Sequence, residues 1–414
     1  VISKIIEDAD PRSLLSAAAV RRVSRRMLQL ATSQSLEDWT VHLEGLPAAA
    51  DFVAGVVRDR YPDRHPPFHA RWRHFVFEGR DLWAAAAAAR SWGTPAERAR
   101  AAFDLAITSV LLDAGAGAQW RFEDAATGLT LSRSEGLALA SLRWFERGGL
   151  SRDAGQPLRA DGIQLQAIDE TAVAGAFQSG THNPLPGAAG RAALLNRLGA
   201  AVIARPDLFA LEDAPRPGGL FDALAARAVD GRIAAPTILD VLLEGLGPIW
   251  PDRHTLAGVA LGDCWPHPAL RGERAVDHYV PLHKLSQWLA YSLIEPLEAA
   301  GIEVRDVGGL TGLAEYRNGG LFVDLGVMAP REPLALARVH AVSAPFIVGW
   351  RSLTVALLDD IAPLVAARLG LAAEDFPLAR VLEGGTWAAG RLLARARRAD
   401  GGPPIRISSD GTVF

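Results

Sequence analysis

A mainly all-α fold is the expectation for this chain. Capping signatures recur from end to end, period-two runs rich in Val, Ile and Thr are scarce, and no fixed-period repeat marks a solenoid or propeller. In chain order, Thr94-Pro95-Ala96-Glu97 supplies an N-cap, a first-turn proline and a capping-box acid, and predicts a helix running to about Ala114-Gly115. Ser132-Arg133-Ser134-Glu135 does the same ahead of residues 137–146, with Gly148 as the stop. Residues 281–300 read as a helix ended by Gly301, with Leu282, Leu285, Leu289, Leu293 and Leu297 on one face. Trp350-Arg351 opens a further helix with Leu353, Leu357, Ile361 and Leu364 on its apolar side. Glu383-Gly384-Gly385-Thr386-Trp387 reads as a Gly-rich turn before another helix start, without the spacing or the Lys-Ser/Thr end of a P-loop. Alternating residues around Asp410-Gly411 predict a small C-terminal β-hairpin over 405–414.

Pro and Gly gather at 61–68, 148–157, 183–190, 214–219, 247–274 and 399–404, which places loops there. Two lobes are expected, an N-terminal one over 1–155 and a C-terminal one over 156–414 that carries the candidate site. With 414 residues, 49% of them hydrophobic, the chain has enough apolar material for a large core. A formal charge of −4 offers no basic surface for duplex nucleic acid. The single Cys264 rules out an internal disulfide, and neither a secretion signal nor an 18-residue apolar run is visible, so a cytoplasmic protein with no membrane partner is expected.

The residue that stands out is Glu315, in Leu310-Thr311-Gly312-Leu313-Ala314-Glu315-Tyr316-Arg317, between the glycine pairs at 308–309 and 319–320. A carboxylate beside an aromatic ring and a guanidinium, hemmed in by glycines that each cost a helix interior about 1 kcal/mol, is an acid held in place. As a structural acid it would pair with Arg317 or Arg351; as a functional one it would face a substrate. The face of the 281–300 helix opposite its leucines collects Lys284, Gln287, Trp288, Tyr291 and Glu295, suited to lining a cleft or to plugging a neighbouring groove. Arg351, at an expected helix start beside Trp350, suits a phosphate or a salt bridge. Asp263, Cys264, His267 and His278 sit in a tryptophan-rich loop, but their spacing matches no standard zinc pattern, so no metal and no cofactor is assigned. Gly-x-Ser-x-Gly, His-Glu-x-x-His and dinucleotide fingerprints are absent.

Several longer phrases are similar to those of a known family: residues 111–117 (Leu-Leu-Asp-Ala-Gly-Ala-Gly), 243–250 (Leu-Glu-Gly-Leu-Gly-Pro-Ile-Trp), 283–289 (His-Lys-Leu-Ser-Gln-Trp-Leu), 312–320, and the ending Ser409-Asp410-Gly411-Thr412-Val413-Phe414. They resemble, over essentially the whole chain, a bacterial and fungal family linked to uracil catabolism and long carried as a domain of unknown function. That resemblance implies a part in degrading uracil through its nucleotide, with ribosylurea-type intermediates.

A more distant likeness is to the queuosine salvage nucleotide N-glycosidases, all-helical proteins related to helix-hairpin-helix DNA glycosylases. His283-Lys284-Leu285-Ser286-Gln287 stands where that family has Lys-Arg-Ala-Gln, and 310–317 where it has Leu-Thr-x-Phe-Ala-Asp-Tyr-Arg, so its catalytic Asp falls on Glu315. Phe177-Gln178-Ser179 resembles its Phe-Arg-Ser, and Gly349-Trp350-Arg351 its Glu-Ile-Arg. Two departures stand out: Asp has become Glu, and the aromatic segment that stacks the large base is not recognisable near Arg73-His74-Phe75.

The likeness implies a helix-hairpin-helix glycosylase-like fold and hydrolysis of the N-glycosidic bond of a ribosylurea 5′-phosphate-like compound. Glu315 would be catalytic, with Lys284, Gln287, Tyr291, Tyr316, Arg317, Trp350, Arg351 and Asp263 around the substrate. Two alternatives stay open, a metal-dependent amidohydrolase or ureidase of the same pathway and a non-catalytic nucleotide-binding protein.

Overall fold

The computed structural model describes residues 10–113, 115–212 and 214–408. It is mainly α-helical. The longer helices, in chain order, are α1 (Ala17–Thr32), α2 (Leu46–Arg60), α3 (Pro95–Leu111), α4 (Arg133–Glu146), α5 (Ala188–Ala204), α6 (Ala235–Leu246), α7 (Lys284–Ala299), α8 (Tyr316–Asp324), α9 (Pro345–Leu369) and α10 (Trp387–Arg397). Among the described residues, strands are short and pair two at a time.

Local chemistry accounts for several boundaries. Thr94 accepts the Glu97 amide at 3.2 Å with Pro95 in the first turn, as expected, and α3 ends at Leu111. Ser132 occupies the N-cap position of α4 with extended backbone, but its side chain makes no cap hydrogen bond. The 281–300 helix begins later than expected, at Lys284, because 279–281 pair as a strand with 264–266.

Two compact units make up the fold, and they interleave along the chain rather than parting at residue 155. Among the described residues, the first comprises 10–69, 252–287 and 306–408, and the second the described part of 70–251 together with 288–305. In the first unit α9, buried along most of its length, packs on α1 and α2, while α8 packs on α10. Trp39 stacks on Phe346 with ring centroids 4.6 Å apart and donates its indole N–H to the Phe346 carbonyl. In the second unit α3 packs on α4, and Phe103, Trp120, Phe145 and Phe177 are buried.

Three expected elements take a different form. The apolar run Phe346-Ile347-Val348 carries α9 back to Pro345, so Trp350 and Arg351 lie in the helix interior instead of at its start. Arg351 is therefore not within the exposed first-turn amides that favour anions at a helix start. Residues 382–386 are a π-helical turn continuous with α10 and not a loop; a side chain on Gly384 or Gly385 would strike Pro66 or Val53. The two glycines serve close packing there. At the C-terminus, Arg406–Ser408 pair in parallel with Val339–Ala341, and the Asp410-Gly411 turn of the expected hairpin lies outside the described residues.

The α8–α10 contact rests on Gly390, where a β-carbon would stand 2.1 Å from the Arg317 carbonyl oxygen. Gly390→Ala should push the two helices apart at a cost of about 1–3 kcal/mol, the usual range for overpacking. Urea denaturation checks this, and a loss under about 0.5 kcal/mol would show that the contact can relax.

Candidate functional site

Glu315 has extended backbone and immediately precedes α8. Its two carboxylate oxygens accept the Arg317 amide at 2.7 Å and the Asn318 amide at 2.6 Å, so the side chain caps the helix. Asp, Asn, Ser and Thr are the usual caps; a glutamate doing this must fold back on its own helix, which fixes both oxygens. Glu315 is buried, retaining 7% exposure. Burial pushes its carboxyl pKa above the ordinary glutamate value, against the pull of the two amides and of the Lys284 and Arg317 charges. Lys284, half-buried at the first position of α7, is thus the cation whose field Glu315 feels most.

The segment that presents Glu315 is pinned from two sides. Gln287, fully buried, donates Nε2 to the Thr311 hydroxyl at 2.6 Å, and its Oε1 accepts the Thr311 amide at 3.3 Å. Arg351 donates Nε to the Ala314 carbonyl at 3.0 Å and sets both terminal nitrogens on the Asp263 oxygens at 2.7 Å each. Asp263 also accepts the Trp265 indole N–H at 2.8 Å and the Lys284 amide at 3.0 Å, which ties the start of α7 to the same ion pair. Burial alone would raise the Asp263 pKa; the charge and fork of Arg351, with the Trp265 and Lys284 donors, outweigh it and hold the group far below the carboxylate range.

Of the residues named from the sequence, the first unit brings Asp263, Lys284, Gln287, Glu315, Tyr316, Arg317, Trp350 and Arg351 into one unit, whereas Tyr291 belongs to the second and is fully buried. Arg317 lays its guanidinium over the Tyr316 ring, 4.9 Å from the centroid, and donates Nη1 to the Gly401 carbonyl. In place of the pairing with Arg317 or Arg351 that a purely structural acid would make, Glu315 caps the backbone and Arg351 forks onto Asp263. Trp350 is buried against Gly319, where a β-carbon would come within 2.7 Å of the indole. The face of α7 expected to line a cleft is largely interior, since Gln287, Trp288 and Tyr291 are all buried.

Two residues were missed in the sequence. Thr311 is the partner of Gln287, across 24 positions. Asn318 donates Nδ2 to the Leu313 carbonyl at 3.2 Å, while its Oδ1 is buried with no hydrogen-bond partner, as is the Trp350 indole nitrogen. Unsatisfied buried polar atoms are few in native structures, and each calls for a reason, a part in the chemistry being one. Only the position of Asn318 three residues after the acid could have drawn attention to it.

Among the described residues, no group of three or more His, Cys, Asp and Glu side chains is arranged to hold a metal. Burial raises the Cys264 thiol pKa well above its ordinary value. No helix of the described residues is long and apolar enough to cross a membrane.

Fold and site together define a mainly helical protein that presents a buried, helix-capping glutamate from a segment locked by an Arg–Asp pair. Residues 13–414 match the family described as protein of unknown function (DUF1688), and the chain belongs to that family. It is 37% identical over 411 residues to Protein urg3 of Schizosaccharomyces pombe, covering 97% of this chain and 98% of that one. It is 36% identical to Uracil catabolism protein 4 of Lachancea kluyveri, covering 90% and 91% respectively.

Proposed function

We propose that this protein is a uracil-catabolism enzyme that hydrolyses the N-glycosidic bond of a ribonucleotide-like intermediate, ribosylurea 5′-phosphate being the substrate the reading favours. The names of its relatives support the pathway. The observation that carries the reaction is the Glu315 carboxylate, buried and fixed by two backbone amides, with burial pushing its pKa up against the field of the Lys284 charge. Departure of the urea nitrogen builds oxocarbenium character on the sugar, which a preorganised carboxylate stabilises while it draws a proton from water. The water oxygen bonds to C1′, the C–N bond breaks, and the nitrogen leaves with a proton as urea, giving ribose 5-phosphate. Each Glu315 oxygen uses one lone pair on an amide and keeps another for this work.

Lys284 takes the phosphate or another anionic group of the substrate, because the Arg351 fork is occupied by Asp263. Phosphate binding far from the broken bond holds the sugar in place for attack. Asn318 Oδ1 and the hydroxyl of Tyr316 orient the ribose or the leaving group, and Gln287, Trp350, Arg351 and Asp263 support the segment that presents the acid. The direct test is a panel of UMP, uridine, ribosylurea and ribosylurea 5′-phosphate assayed for free reducing sugar. Release from the last alone is expected; ammonia in its place would assign the amidohydrolase reading.

The pH profile carries a second expectation. A base must be ionised, so kcat/KM should rise with pH through a value above the ordinary glutamate range. Lys284 lowers the Glu315 pKa, so Lys284→Met should move that acidic limb to higher pH as well as weaken binding. An unmoved limb would separate Lys284 from Glu315.

A further inference from the structure

Within the second unit lies a cleft of about 610 Å³, remote in sequence from every residue assigned above. Its lining includes Arg90, Ser91, Trp92, Arg100, Gln156 and Arg216. Three of these lining residues are arginines. Arg100 has a structural partner, since its fork meets Asp222 at 2.8 and 2.6 Å. The other two differ. Arg216 is about nine-tenths buried; its Nη1 stands 3.5 Å from one Asp104 oxygen, beyond normal hydrogen-bond length, and its Nε has no hydrogen-bond partner. Arg90 is half-buried, places one nitrogen on the Gly155 carbonyl at 3.0 Å, and lies over the Trp92 ring at 5.9 Å.

Two carboxylates also line the cleft. Glu97 turns back to accept the Gly93 amide at 2.8 Å, and Glu212 is exposed. With Arg100 held by Asp222 and Arg216 standing beside Asp104, Arg90 and the unpartnered Nε of Arg216 are the guanidinium donors left to a ligand. The volume falls in the range of small-ligand sites, and a partly buried indole beside guanidiniums suits a planar group attached to an anion. Ser91 and Gln156, both at the mouth, add neutral hydrogen-bonding groups.

We infer that this cleft is a binding site for a nucleoside monophosphate, with Arg90 and Arg216 on the phosphate and Trp92 beside the base. It is independent of Glu315 and Lys284 and stands whether or not the glycosidase reading does.

The test is calorimetric titration of UMP into the whole protein carrying Lys284→Met, so that binding beside Glu315 does not contribute, with uridine as the uncharged comparator. Saturable UMP binding is expected, with uridine weaker by tenfold or more, since charge-assisted hydrogen bonds to the phosphate are lost. Arg90→Glu in the same background should weaken UMP by at least tenfold. Arg90 is half-buried and bonded to one loop carbonyl, so this variant keeps the fold, which circular dichroism verifies. Arg216→Gln is a weaker probe because it leaves Asp104 without its cation. Absence of saturable UMP binding, equal affinity for uridine, or an isotherm unchanged by Arg90→Glu would each overturn the assignment.

Discussion

Arg351→Met should lose about 3–5 kcal/mol of stability, the usual cost of removing one partner from a buried ion pair. The side chains of Arg351 and Asp263 are 1% and 10% exposed, and the fork is bidentate. Removing the cation strands a carboxylate that also anchors the Trp265 indole and the first amide of α7. The Asp263 pKa is depressed in the folded protein, so its stabilisation is present above the unfolded value near 3.9 and is lost progressively as pH falls below that toward the lower folded value. In Arg351→Met burial acts unopposed by the guanidinium, the pKa rises, and acid relieves the stranded charge. The gap between parent and variant should therefore narrow between about pH 7 and pH 4. Denaturant titrations at those two pH values check both signs. A double change, Asp263→Asn with Arg351→Met, should recover part of the loss, because no charge is then left unpaired. If instead Arg351→Met costs under about 1 kcal/mol and raises KM, Arg351 belongs on the phosphate after all.

The helical class was legible because its signals are local. Thr94-Pro95 caps and starts α3 through groups within one turn, and no distant residue is needed to read it. Long-range partnerships left no such mark. Arg351 and Asp263 are 88 positions apart, and nothing in either neighbourhood names the other. The start of α9 was misplaced because Trp350-Arg351 looks like a beginning, whereas burial of Phe346-Ile347-Val348 decides where the helix forms. Residues 382–386 read as a turn because adjacent glycines usually make one; packing against Val53 and Pro66, more than 300 residues earlier, makes them a helix. Glu315 itself was legible as a held acid, but its holders are the two backbone amides ahead of it, which no side-chain pattern reveals.

Glu315→Gln should lower kcat by about 10²–10⁴-fold, the range for removing a positioned acid–base group, while the protein stays folded. The same residue caps α8, so stability also falls. Gln keeps one oxygen for one amide and sets its NH₂ against the other, a loss on the scale of a helix cap, about 0.5–2 kcal/mol. The two roles separate by magnitude. A capping defect of that size leaves nearly all molecules native at 25 °C in a protein of ordinary stability, and cannot reduce turnover a hundredfold unless the carboxylate is chemically engaged. The measurement is kcat at saturating substrate, normalised to folded protein, beside the denaturation midpoint. A shifted midpoint with turnover within a few-fold of the parent would make Glu315 a cap alone and remove it from the reaction. Reduced turnover with an unchanged KM would place its contribution in the transition state, where the sugar carries positive charge and the substrate alone does not.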